Sequence, residues 1–291
     1  MSTVIFTDSC CDLPIEFIKE NNIELISLRV KYESEDIPDD LGQSIKYKDF
    51  YSKLKNGVTA TTSQANAYYF EEEFRKQAKL DKAIIYIGFS SALSGCVNSA
   101  RIAKEIIEEE MPKADITIID SKSASLGLGL LVFNATKMLK EGKTKEEIIM
   151  WIEENKLKVN HWFTVDDLNH LKRGGRVSST VAIVGTMLNI KPIMHVDKEG
   201  RLIPVAKVKG RKKSIKDLFE RLKENAVNIE EQTIFISHGD CLEEAETLRD
   251  LILSEYKVKD CIINYIGPVI GSHAGPGTIA LFFLGNNREL N

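Results

Sequence analysis

Residues 82–88 read Lys-Ala-Ile-Ile-Tyr-Ile-Gly and form the clearest strand pattern in the first half of the chain. The run leads into a serine-rich turn at 89–95, after which a helix is predicted from 97 to 111. Further out, predicted strands at 4–7, 23–30 and 116–121 alternate with helical patterns. This alternation up to about residue 160 predicts an α/β domain, a parallel sheet with helices on both faces.

The pattern changes after residue 160, where strands and helices no longer alternate regularly. Strands are predicted there at 160–165, 193–196, 201–208, 233–237, 261–266 and 279–284, and helices at 177–189, 214–224 and 242–256. This arrangement predicts an α+β domain with a mixed or antiparallel sheet. A chain of 291 residues is long enough for two domains, and we place them at residues 1–159 and 160–291.

The composition argues against several classes of protein. A net charge of −4 provides no electrostatic basis for binding nucleic acid or an anionic membrane. No apolar run is long enough to cross a bilayer, so we expect no stable membrane insertion. The five cysteines include the adjacent pair Cys10 and Cys11, between which a disulfide would be strained. With no leader pattern at the N-terminus, we expect a soluble cytoplasmic protein with reduced thiols.

Sequence motifs for cofactors are missing as well. The chain has no Walker A pattern, no Gly-x-Gly-x-x-Gly after a strand and no Cys/His spacing typical of zinc, so we expect no cofactor. Asp8, Asp12 and Asp120 are candidate Mg²⁺ ligands, but aspartate at a strand end more often caps a turn.

Three segments are rich in hydrogen-bond donors. Residues 61–64 read Thr-Thr-Ser-Gln, residues 90–95 read Ser-Ser-Ala-Leu-Ser-Gly, and the Gly/Pro-rich stretch 266–277 contains His273. The first two precede predicted helices, where Thr62, Ser63 or Ser94 could simply cap a helix. Alternatively, the three segments converge on one anionic group in a cleft between the domains.

Five segments, in this order, resemble those of the DegV family of bacterial lipid-binding proteins. They are Phe-Thr-Asp-Ser at 6–9 with Asp-Leu-Pro at 12–14, Thr-Ser-Gln at 62–64, Ser-Ala-Leu-Ser-Gly at 91–95, Leu-Lys-Arg-Gly-Gly-Arg at 171–176 and Gly-Ser-His-Ala-Gly-Pro-Gly at 271–277. The resemblance extends from about residue 3 to residue 285. The chain departs from the family pattern at Ala65 and at residues 96–98, which leaves the acyl-chain preference open.

The resemblance implies a non-catalytic carrier that encloses one long-chain fatty acid between two domains. It implies that Thr62 and Ser94 hold the carboxylate, beside His273. The full carboxylate-binding set that we predict is Thr62, Ser63, Ser94, Gly95, His273 and Gly275. In the family, the bound fatty acid is presented to a separate ATP-dependent kinase subunit that makes the acyl phosphate. Residues resembling Arg173 and Arg211 face that partner or the phosphorylated product.

Elementary energetics are consistent with such a ligand. Burying a hexadecanoyl-sized chain contributes on the order of 10 kcal/mol before losses of ligand freedom. Neutral donors at the head group offset the cost of burying a carboxylate and leave it nucleophilic. The apolar runs 181–190 and 279–284 are candidate walls for the chain, although plain core packing explains most of them.

Two alternatives to a carrier remain open from the residues alone. Ser94 and His273 could form an acyl-ester or phosphate hydrolase, although the turn at 91–95 lacks the first glycine of a nucleophile elbow. A lipid-sensing regulatory protein would also bind a fatty acid. Cys96, His195 and His238 are better explained as structural residues, and His161 and His170 carry no functional signal.

Overall fold

The structure is a computed structural model that describes residues 2–177 and 189–288. Most of the apolar helix predicted over 177–189, and most of the candidate wall at 181–190, lie outside the described residues. The described helices are α1 Ile15–Glu20, α2 Tyr47–Lys55, α3 Ala67–Ala78, α4 Cys96–Glu110, α5 Leu126–Lys140, α6 Lys145–Asn155, α7 Leu168–Arg173, α8 Arg211–Asn225, α9 Leu242–Glu255 and α10 Pro268–Ala274. Short 3-10 helices occur at Ser9–Cys11 and Ile229–Glu231.

Thirteen strands are described among the same residues. They are β1 Thr3–Asp8, β2 Glu24–Ile26, β3 Arg29–Tyr32, β4 Glu35–Pro38, β5 Thr61–Ser63, β6 Ala83–Gly88, β7 Ile116–Asp120, β8 Val159–Thr164, β9 Ile190–Val196, β10 Leu202–Lys209, β11 Thr233–His238, β12 Asp260–Tyr265 and β13 Ile279–Leu284. No helix among residues 2–177 and 189–288 is long and apolar enough to span a membrane.

The first half is built on a parallel sheet in the order β2-β1-β6-β7. Every residue of β6 is buried, as expected for a central strand that is covered on both faces. The helix pairs α3–α4 and α5–α6 pack on this sheet. The predicted parallel-sheet α/β architecture is therefore confirmed.

The second half is a six-stranded sheet in the order β10-β9-β8-β13-β11-β12. Only β11 and β12 pair in parallel, and the other neighbours are antiparallel, so this sheet is mixed, as predicted. Helices α8 and α9 pack on it over a core of their own. Helix α5 contacts β1 and β6 of the parallel sheet as well as β8, β11 and β13, so it lies between the two sheets.

Several local predictions were wrong. The strand predicted over 23–30 divides into β2 and β3, and β3 forms a separate antiparallel sheet with β4 and β5. Thr62 and Ser63 lie in β5 and do not cap α3, because the side chain of Asn66 accepts the cap hydrogen bond from Tyr69 N–H. The turn expected at 168–176 begins with the short helix α7.

The stretch expected to be a Gly/Pro loop also differs from the prediction. Residues Pro268–Ala274 form helix α10, with proline in its first turn. Proline is favoured there because its missing N–H is not needed at the start of a helix. His273 therefore lies in the last turn of a helix, while the strand predicted at 279–284 is present as β13.

Candidate functional site

A cavity of about 370 Å³ lies between the two sheets. Its walls combine apolar side chains from both halves, including Phe89, Leu93, Phe163, Leu202, Ala280 and Phe282. Such a volume and such a lining are typical of a site for a small apolar ligand. Three of these wall residues come from β8 and β13, so part of the predicted wall at 279–284 does face the cavity.

Polar side chains from three distant segments also line this cavity. Thr62 and Ser63 come from β5, Ser94 from the turn before α4, and His273 from α10. Thr62 Oγ1 and His273 Nε2 are hydrogen bonded at 2.8 Å, although they lie 211 residues apart in the chain. The structure therefore brings together the three donor-rich segments that the sequence singles out.

The protonation state of His273 follows from its surroundings. Burial, followed by the charge of Arg176, lowers the pKa of His273 to about 4, so the imidazole is neutral at pH 7. Among residues 2–177 and 189–288, its Nδ1 is buried without a hydrogen-bond partner and lies against Gly174, where an added Cβ would clash with it. An unpaired buried donor costs more than an unpaired lone pair, which places the proton on Nε2.

This tautomer leaves one hydroxyl proton available to a ligand. If His273 Nε2–H donates to Thr62 Oγ1, the hydroxyl of Thr62 is free to donate in turn to a group in the cavity. Ser94 Oγ accepts a long hydrogen bond of 3.4 Å from Cys96 N–H, so its own proton is also available. The site thus offers two neutral hydroxyl donors for a carboxylate.

Gln64 ties two of these segments together. Its Oε1 accepts a hydrogen bond of 2.9 Å from Gly95 N–H, and its Nε2 donates to Ser99 Oγ at 3.2 Å. The N–H of Gly95 is therefore already used. Sequence reasoning quoted Gln64 in a motif without assigning it a role, because its bonding partners lie 31 and 35 residues away.

Arg176 is the second residue that sequence reasoning left without a role. It is the one charged side chain that lines the cavity among the described residues. Its Nη1 donates to Gly174 O at 2.5 Å and its Nε to Leu93 O at 3.3 Å. These contacts hold the guanidinium beside the polar end of the cavity.

A groove of about 340 Å³ adjoins this polar end and shares Thr62, Arg176 and His273 with the cavity. Arg173 and His170 also line the groove, with Arg173 Nη2 and His170 Nδ1 at 3.0 Å. The groove is therefore basic where it meets the head of the cavity.

The remaining predicted residues lie elsewhere. Gly275 ends α10 with a positive φ of 81° and donates its N–H to Gly271 O. Arg211 lines neither hollow. It is mostly buried, and it forms ion pairs of 3.6 Å with both Asp166 and Glu244.

The acidic and thiol candidates have structural surroundings. Among residues 2–177 and 189–288, no group of three His, Cys, Asp or Glu side chains could hold a metal ion. Asp8 caps the first 3-10 helix, and Asp120 binds Ser91 and Lys122. Burial raises the pKa of Cys96 to about 12, so this thiol is not a reactive thiolate at neutral pH.

His161 is a cavity residue that the sequence did not reveal. It lines the cavity from β8 and is 1% exposed. Its Nδ1 lies 2.9 Å from Val159 O, and burial lowers the pKa of His161 well below its usual value. A neutral imidazole at this depth is compatible with the apolar lining around it.

The family model described as "Uncharacterised protein, DegV family" matches residues 2–286. This chain belongs to the DegV family. A DegV domain-containing protein of Clostridium perfringens is 50% identical over 286 residues, which cover 98% of each chain. The family resemblance of the five segments is thereby confirmed.

Solved structures of DegV family members share the whole fold. A DegV family protein from Thermus thermophilus, described with fatty acid binding, is 28% identical with a TM-score of 0.89, over 98% of this chain and 100% of that one. DegV from Bacillus subtilis, described as a fatty acid binding protein, is 31% identical with a TM-score of 0.86, over the same shares. The combination of a parallel and a mixed sheet is thus the DegV fold.

Proposed function

We propose that this DegV family chain binds one long-chain fatty acid, with its carboxylate at the polar end of the cavity and its acyl chain between the sheets. The observation that carries the proposal is the apolar cavity with the Thr62–His273 pair at one end. The fatty acid binding described for the relatives from Thermus thermophilus and Bacillus subtilis supports the same ligand class.

The residue roles in this proposal follow the predicted set with one refinement. Thr62 and Ser94 donate hydroxyl protons to the carboxylate, His273 orients Thr62, and Ser63 lines the same wall. Gly95 and Gly275 act through backbone shape, because their N–H groups already donate within the protein. We keep the division at residues 1–159 and 160–291, with the second part closing over the acyl chain.

We further propose that the carboxylate is presented to a separate ATP-dependent kinase subunit. In that reaction a carboxylate oxygen forms a bond to the γ-phosphorus of ATP, ADP leaves, and an acyl phosphate results. The basic groove beside Thr62 and His273 supports this step, because a phosphate donor could approach there through surface that Arg173 and Arg176 line. Arg211 is a weaker candidate for facing the partner, since Asp166 and Glu244 already pair with it.

The geometry favours a carrier over a hydrolase that uses Ser94 and His273. A hydrolytic serine needs a base within hydrogen-bond reach. Here Nε2 of His273 bonds to Thr62, and Nδ1 lies against Gly174. A neutral donor pair suits a carboxylate that must keep its charge for phosphorylation.

Native mass spectrometry of the purified chain tests the binding proposal. We expect one bound lipid per chain, identified after release as a long-chain fatty acid, and exchange with added palmitate. A chain that carries no lipid and takes up no palmitate would refute the proposal. Hydrolysis of aryl esters that Ser94→Ala removes would instead establish the hydrolase.

The kinase step needs a separate measurement. Lipid-loaded chain, a candidate kinase subunit and ATP are expected to form an acyl phosphate, detected as the hydroxamate. His273→Ala is expected to retain the lipid and to slow this product. Lipid-dependent binding to another protein, with no acyl phosphate formed, would indicate a sensor.

A further inference from the structure

Two buried carboxylates meet the start of the helix that presents His273. Asp12 Oδ1 accepts a hydrogen bond of 2.9 Å from Gly267 N–H, and Asp39 Oδ2 accepts one of 3.1 Å from Val269 N–H. Pro268, between them, has no N–H. The first N–H groups of α10, which have no partner within the helix, are thus bound by acidic side chains.

Both carboxylates are buried, and Asp12 has hydrogen bonds to both halves of the chain. Asp12 and Asp39 are each 1% exposed. The hydroxyl of Ser125 donates to Asp12 Oδ2, and Asn264 Nδ2 donates to Asp12 O at 2.8 Å. Neither carboxylate pairs with a lysine or an arginine in the part of the chain that the structure describes. The helix start is therefore their principal partner across the two halves.

The backbone at Gly267 lies close to both carboxylates. A Cβ added there would lie 2.8 Å from Asp12 Oδ1 and 3.1 Å from Asp39 Oδ2. Tyr51 Oη donates to Ile266 O at 2.9 Å, just before the helix. A seven-residue helix is not stable by itself, so the position of α10 depends on tertiary contacts, and these hydrogen bonds fix its first turn alongside its packing on α7, α2 and β3.

The position of the start of α10 also affects the cavity, because the same helix carries His273. His273 lies six residues after Gly267, a distance of about 9 Å at the rise of an α-helix. Val269, Ile270 and Ala274 of the same helix line the cavity. A small movement at the helix start therefore displaces the imidazole from Thr62 and moves part of the apolar wall.

We infer that Asp12 and Asp39 are positioning residues that hold α10 so that His273 meets Thr62 at the polar end of the cavity. The importance of that end for fatty acids rests on the proposed function. The placement of His273 by the two carboxylates does not.

The test compares Asp39→Leu, which removes the acceptor, with Asp39→Asn, which retains one. Nitrogen NMR of ¹⁵N-histidine-labelled, lipid-free protein reports the tautomer of His273 and its pKa, with His273→Gln assigning the resonance. In Asp39→Leu we expect the pKa of His273 to rise from about 4 towards 6.5. In Asp39→Asn the resonance is expected to stay near its native position.

Palmitate affinity is the second measurement. We expect Asp39→Leu to bind palmitate about tenfold more weakly, while Asp39→Asn stays within about threefold. Asp12→Leu and Asp12→Asn are expected to follow the same order. Asp120→Leu is the control at another strand end, because Asp120 contacts Ser91 and Lys122 and not α10, and it should not move the His273 resonance.

The outcomes separate the inference from the proposed function. An unchanged His273 resonance in folded Asp39→Leu and Asp12→Leu would overturn the inference, as would equal effects of Leu and Asn. If Asp39→Leu does not fold, Asp39→Asn decides, since a displaced His273 with the acceptor retained would contradict the positioning role. If the native protein binds no palmitate, the proposed function fails while the NMR comparison still stands.

Discussion

Two polar clusters lie beside the same cavity, and they differ in how their hydrogen-bonding capacity is used. At the head of the cavity, Thr62 and Ser94 retain hydroxyl protons, and Nδ1 of His273 has no hydrogen-bond partner in the described part of the chain. Behind α10, by contrast, Asp12 and Asp39 accept hydrogen bonds from backbone and hydroxyl donors of the protein itself. Polar groups with unused hydrogen-bonding capacity are typical of a binding site. Polar groups whose hydrogen bonds are already made within the protein are typical of a structural contact.

The largest expected effect concerns the Asp12 and Asp39 cluster and the dependence of the free energy of unfolding on pH. Burial raises the pKa of Asp39 to about 7 from an ordinary value of 3.8. A carboxyl whose folded-state pKa is raised stabilises the fold at low pH, and this contribution is lost as pH rises through 7. We expect the free energy of unfolding of Asp39→Asn, relative to the native protein, to increase by about 4 kcal/mol between pH 4 and pH 8.

Urea unfolding of both proteins between pH 4 and pH 8 measures that difference. Both proteins contain the same histidines, so the contribution of histidine titration cancels. Asp120→Asn is the matched control. Hydrogen bonds from Ser91 and Lys122 lower the pKa of Asp120 below 3.8 despite its desolvation, so its contribution is lost only below pH 3.8, and the difference for Asp120→Asn should stay nearly constant between pH 4 and pH 8. If the difference in the free energy of unfolding between Asp39→Asn and the native protein did not vary with pH, the distinction between a structural and a ligand-binding cluster would be lost.

The next effect concerns the spare hydroxyls. Thr62→Ala and Ser94→Ala each remove one donor to a carboxylate, so each is expected to weaken palmitate binding about 10- to 100-fold. Titration of lipid-free protein with palmitate measures this. Ser91→Ala is the control in the same turn, because Ser91 bonds to Asp120 and does not line the cavity. If Ser91→Ala were as damaging as Ser94→Ala, the hydroxyls would not be acting as ligand donors.

The smallest effect is on His273 itself. A carboxylate bound to Thr62 brings a negative charge close to the imidazole, which favours the protonated form. Palmitate is therefore expected to raise the pKa of His273 from about 4 to about 5, as measured by NMR titration. Hexadecanol, which has no charge, should leave the pKa unchanged. The same pKa with both ligands would place the carboxylate away from His273.

Much of the fold was predictable from sequence because the signals are local. Continuous apolar runs such as 82–88 indicate buried strands, and their alternation with helices indicates a parallel sheet. The donor-rich residues Thr62, Ser94 and His273 were also recognisable, since side-chain chemistry and family motifs are written in the chain itself. Two features were not predicted from the sequence, the division of β2 from β3 and helix α10 in place of a loop. Tertiary contacts outweigh local preference there.

What the sequence alone determined is which groups are present: the apolar strands, the hydroxyls, one histidine in a Gly/Pro-rich stretch, and membership of the DegV family. Only the tertiary structure decided which of them meet. The bond between Thr62 and His273 joins segments 211 residues apart, and the carboxylates of Asp12 and Asp39 bind a helix start more than 200 residues later. Such pairings depend on how sheets and helices dock, and no local periodicity or spacing encodes that.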